Sequence, residues 1–181
     1  VLVACGLGIG VSSRAQTQAP SAKPELLPRE REMAAALSAA PAHLAPGAGV
    51  YVLEEKGYVK VRESKNGFTC IVDRDSPHSF EPECLDAEGT ETSLPRILFK
   101  AELRAQGKSE AEIGSAIAEG YGSGRFRAPR RPGIVYMLSQ ENRVVADPKT
   151  GKIINFPPHV MFYAPYLTNA DIGAGPGGPA F

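Results

Sequence analysis

The chain carries no surplus of charge, with 20 Lys and Arg against 20 Asp and Glu in 181 residues. That balance speaks against a general nucleic-acid binder, which carries a basic face. It speaks equally against an acidic disordered solubiliser. Cysteine is scarce, at three residues, and no CxxC pair occurs, so the chain offers no dithiol redox motif. The longest apolar run, residues 1 to 11, is well short of the roughly 20 residues that span a bilayer. Catalytic signatures are missing too. No HExxH occurs, Gly122-Ser123-Gly124 lacks the spacing of a nucleophile elbow, and Gly151-Lys152 is followed by Ile153 rather than by Ser or Thr. Glycine and proline are frequent, at 19 and 16, but without a collagen period, and no internal repeat is visible. What remains is one ordinary domain, long enough to bury roughly 70% of its unfolded surface without depending on metals or disulfides.

The first residues, VLVACGLGIGV followed by Ser12-Ser13-Arg14-Ala15, resemble a bacterial secretory signal peptide: an uncharged apolar stretch ending in small residues. Cleavage is expected after Ala15. Leu2-Val3-Ala4-Cys5 also resembles a lipobox, in which Cys5 would be lipidated, but the apolar run continues past it. Gly6, Gly8 and Gly10 lack the preceding strand and the spacing of a dinucleotide fingerprint. Removing the signal leaves Cys70 and Cys84, 14 residues apart. In an oxidising compartment an even pair reads as one disulfide, worth roughly 3 kcal/mol in the chain-entropy account.

The body of the chain reads as an α+β domain over residues 28–172, after a flexible leader at 16–27 and before a Gly/Pro-rich tail at 173–181 that is not expected to fold. Pro28 opens a helix over 29–40, since proline suits the first helical turn. Val50 to Leu53, Tyr58 to Glu63 and Phe68 to Val72 show strand patterning. Asn66-Gly67 joins the last two as a tight-hairpin signal, so the three strands are expected to form an antiparallel meander. Residues 73–93 read as an irregular loop pinned by Cys84. Leu94 to Ala105 and a helix capped by Ser109 with Glu112 form a helical hairpin. Further strands are expected around 133–138, 144–145, 153–154 and 160–163.

Three constellations could carry chemistry. Asp73, Asp75, His78, Glu81 and Glu83 cluster in the presumed disulfide loop, and carboxylates two apart can wrap a hard cation. Of these, Asp73, Asp75 and His78 are the metal candidates. The stretch lacks the central glycine of a calcium loop, and a solvated acidic loop is the competing reading. Arg125, Arg127, Arg130 and Arg131 stand within seven residues of one another, and guanidiniums so placed bind phosphate or carboxylate bidentately. Internal pairing is the competing reading. His159, among Tyr163 and Tyr166, is the candidate general base, against a histidine packed on a core strand. Two functions follow. One is a non-enzymatic exported module, periplasmic or extracellular, that uses the arginines on an anionic ligand or envelope component and needs no cofactor. The other is a small exported hydrolase in which His159 works with Asp73 or Asp75. They differ in whether His159 meets a carboxylate in a pocket or the arginines line an open surface.

Overall fold

Short apolar strands and three amphipathic helices leave one economical arrangement, a sheet covered on both faces. In the computed structural model residues 22–147, 149–168 and 170–173 are described. The signal-like segment, Cys5, the cleavage point, the first part of the leader and the end of the tail lie outside the described residues.

Helix α1 spans Arg29–Leu37, α2 Ala87–Thr92, α3 Leu94–Ala105 and α4 Glu110–Gly122. The strands are β1 Gly49–Glu54, β2 Gly57–Arg62, β3 Thr69–Asp73, β4 Glu81–Leu85, β5 Gly133–Met137, β6 Arg143–Asp147, β7 Lys152–Asn155 and β8 His159–Tyr163. A six-stranded sheet runs β2-β1-β3-β4-β5-β8, and β6 and β7 make a separate two-stranded ribbon. The α+β class is therefore as the sequence indicates.

Strand alternation sorts the core into two layers. Val50, Val52, Cys70, Val72 and Cys84 face α1, where Ala35, Ala36 and Ala39 allow a close approach. Ile71, Leu85, Val135 and Met137 face the other way, against Leu94 and Ile97 of α3. Each such fully buried Ile, Leu or Val contributes about 1.5–3 kcal/mol. Cys70 and Cys84 stand directly opposite each other in the antiparallel β3–β4 ladder and are joined by a disulfide.

Three local expectations are corrected. First, the meander does not form: β1 and β2 are antiparallel, but β3 runs parallel to β1 on its other side. Gly67 takes the positive φ that Asn-Gly predicts, +83°. The Asn66 amide, however, is used elsewhere. It donates to the Leu44 carbonyl at 2.8 Å, while its oxygen accepts from the Phe68 amide at 3.1 Å. The turn thus carries the chain across the start of β1 instead of folding it back on β2.

Second, residues 81–85 are a strand, not part of a loop. Pro82 disguises it, since proline cannot donate in a ladder. It is tolerated because β4 pairs with β5 only at Cys84 and Leu85, so on that side no strand needs the missing amide. Third, residues 87–92 are a short helix. Asp86 caps it, accepting from the Gly89 amide at 2.9 Å. Gly89 hides the helix in sequence but is required by packing, because a Cβ there would lie 2.6 Å from the Tyr163 hydroxyl.

Candidate functional site

The arginine connector begins where α4 ends. Gly120 lets the α4 backbone lie against the ring of Phe126, which is buried and also contacts Phe99 and Tyr121. Burial of Phe126 turns its neighbours Arg125 and Arg127 to solvent. The Arg125 guanidinium stacks over the Phe99 ring at 3.7 Å, a cation–π contact that fixes a long side chain cheaply.

Glu88 of α2 then clamps the chain. Its carboxylate accepts from the Arg130 amide at 2.7 Å, the Arg131 amide at 3.4 Å and Arg131 Nε at 2.7 Å. These donors, the Arg130 amide foremost, hold the Glu88 carboxyl below the usual range. Glu91 adds a second, looser contact to Arg131 at 3.6 Å. Arg131 is therefore neutralised within the protein. The guanidiniums of Arg125, Arg127 and Arg130 have no carboxylate partner among the described residues.

The acidic constellation is divided between two places. Asp73 and Glu81 are direct cross-strand partners, and Glu83 follows on the same face, beneath α3. Lys100 of α3 sits among them, its ammonium 2.7 Å from Asp75 and 3.5 Å from Asp73. Burial first, and the Asp73 charge second, push the Glu83 carboxyl up to about 8 and that of Glu81 up to about 7. His78 lies elsewhere, exposed at the rim of a cavity with Arg74 and Arg143. Among the described residues no group of three His, Cys, Asp or Glu side chains is placed to hold a metal ion.

His159 begins β8 opposite Met137. Its Nδ1 donates to the Pro157 carbonyl at 3.0 Å, and its ring packs beside Phe156. The structure does not bring it together with Asp73 or Asp75, which are engaged by Lys100.

Sequence reasoning missed the residues that organise these sites. Glu88 carries no motif, and its role depends on a strand and a helix that the prolines and Gly89 concealed. Glu32 and Arg74 form a buried ion pair across 42 residues of sequence, at 2.9 Å. Arg74 and Arg104 both line a cavity of about 410 Å³ under Lys23 and Pro24. Their guanidiniums are committed there, Arg74 to Glu32 and Arg104 to Glu110 at 2.9 Å and to the Arg74 carbonyl at 2.8 Å. No local sequence signal marks any of these pairs. Compared with models of known protein families, with curated proteins and with solved structures, the chain matches none.

Proposed function

We propose that this chain is an exported, non-enzymatic binding module of the bacterial cell envelope, periplasmic or extracellular. It meets an anionic envelope component through Arg125, Arg127 and Arg130. The observation that carries this reading is the Glu88 clamp. One carboxylate ties down the backbone at Arg130 and Arg131, while three other guanidiniums stay exposed and, among the described residues, free of internal counter-charges. A connector whose arginines served only solubility would gain nothing from being fixed. A recognition surface gains, because ordering costs are met before the partner arrives. The Cys70–Cys84 disulfide supports an oxidising compartment. Among the described residues no helix is long and apolar enough to cross a membrane.

The test is cosedimentation with phosphatidylglycerol vesicles and with isolated bacterial envelopes. Native protein is expected to bind at low salt and to release as salt rises. The triple variant Arg125→Gln, Arg127→Gln, Arg130→Gln is expected to bind on the order of a hundredfold more weakly, at about 1 kcal/mol per basic residue near an anionic surface. Equal binding by the triple variant, or no binding of native protein to either target, overturns the reading.

A further inference from the structure

We propose that a second cavity, walled by the segment before α1, the turn before β4 and the β6–β7 ribbon, is a site for a small oxyanion with an apolar portion, held by the Arg143 guanidinium. The cavity has a volume of about 370 Å³, within the size range of small-molecule sites.

Phe80 forms its floor. The ring is 3% exposed and carries two guanidiniums, Arg74 and Arg143, each 4.5 Å from its centroid. Arg143 is fixed from its backbone as well. Its amide donates to the Phe80 carbonyl at 3.0 Å, and its carbonyl accepts from the Phe80 amide at 2.9 Å. The two arginines then differ. Arg74 is answered by both oxygens of Glu32, at 3.2 and 2.9 Å, and by the Val72 carbonyl at 3.1 Å. The Arg143 guanidinium makes no hydrogen bond or ion pair among the described residues. It is a half-buried fork of five N–H donors, oriented by stacking and left without an acceptor.

The rest of the wall defines the ligand. Lys23 and His78 add donors beside Arg143. Among the described residues Glu25 is the only carboxylate on the wall, and it makes no ion pair with Arg143. Leu27 and Ile153 supply apolar surface on the two sides. A guanidinium fork matches the paired oxygens of a phosphate or a carboxylate. The apolar walls suit a hydrocarbon or aromatic group attached to that anion. The site uses none of the connector arginines, so it stands or falls separately from the envelope-binding surface.

The full chain, labelled with nitrogen-15, is titrated with inorganic phosphate, phenyl phosphate and benzoate, and followed by amide and guanidinium NMR. The expected result is saturable shifts at Ser79, Phe80 and Arg143, including Arg143 Nε, with phenyl phosphate binding several-fold tighter than inorganic phosphate. Arg143→Gln is expected to weaken binding by on the order of tenfold, and the Arg125→Gln, Arg130→Gln double variant to leave it unchanged. Ile153→Trp fills the cavity from an exposed position of β7 and leaves Phe80 and both of its arginines unsubstituted. It is expected to abolish binding even if Arg143→Gln proves poorly folded. A response to phenyl phosphate alone assigns phosphomonoesters, and one to benzoate alone assigns carboxylates. No saturable shift with any probe, undiminished binding in both Arg143→Gln and Ile153→Trp, or shifts confined to residues 125–130 overturns the proposal.

Discussion

Glu83 shows how far a single residue can depart from its sequence description. In the sequence it is one of several acidic residues in a polar stretch. In the fold it lies buried under α3, with Oε1 lacking a hydrogen-bond donor and Asp73 beside it on the same face. Burial and that neighbouring charge favour the neutral form and raise the carboxyl to about 8. An unfolded glutamate ionises near 4.3. Between these values the folded protein keeps a proton that the unfolded chain gives up. The stability this confers is full below the unfolded value and is lost progressively as pH rises to about 8. Glu83→Gln removes the penalty of ionising a buried group. Urea unfolding is expected to give near-equal stabilities for the two proteins at pH 4, below the unfolded value. At pH 8.5 the variant is expected to be more stable by on the order of 4–5 kcal/mol. Parallel pH profiles would mean that Glu83 is already ionised in the folded protein at pH 5. The cysteines are the opposite case. With Cys5 set aside as part of the signal-like segment, parity leaves Cys70 and Cys84 as the pair, and the β3–β4 ladder brings the two together.

At the scale of elements, what could be read in advance was whatever the local chain determines. The α4 start is the clearest case. Ser109 Oγ accepts from the Glu112 amide at 3.3 Å, and Glu112 accepts from the Ser109 amide at 2.9 Å, the reciprocal pair anticipated from spacing alone. The strands around 144–145 and 153–154 were equally visible, and they pair as β6 and β7 across a turn in which the Lys149 amide donates to Asp147. What escaped was decided by distant partners. Pro82 is acceptable in β4 only because β5 stops short of it, and Gly89 is needed in α2 only because Tyr163 of β8 arrives there. Neither condition can be seen within ten residues of the position it governs. Ser109→Ala tests the locally determined kind. It is expected to destabilise the protein by about 1 kcal/mol in urea unfolding. The Glu112 carboxyl, held at about 2 chiefly by the backbone amide at 109, which the variant keeps, is expected to rise only slightly through loss of the Ser109 hydroxyl donor, as read by carboxyl NMR titration. A large rise of Glu112 would mean that the hydroxyl, and not the amide at 109, holds the carboxylate in the cap.

For the whole molecule the central question is what ties the α1 layer to the sheet, since its helix brings mainly alanines to the contact. Glu32 of α1 is fully buried and meets Arg74, just past the end of β3, which is 4% exposed. Burial raises the Glu32 carboxyl and Arg74 opposes that rise, so the pair is desolvated and mutually dependent. A buried pair of this kind adds little over a well-packed apolar pair, yet breaking it leaves an uncompensated charge. Glu32→Leu alone and Arg74→Met alone are each expected to cost about 3–5 kcal/mol, while the double variant returns to within about 1 kcal/mol of native. Chemical unfolding of all four proteins gives the coupling directly. Additive losses would show that each side chain acts through its own packing and that the pair is not a unit. The double variant also separates roles that meet at Phe80. Arg74 leaves the ring while Arg143 keeps its contact with it. If Arg143 alone reads the anion, phenyl phosphate binding survives in a protein whose layers are now held by apolar contact. If binding disappears with the fold intact, the buried pair supplies part of the field at the cavity, and the ion pair is retained for recognition more than for stability.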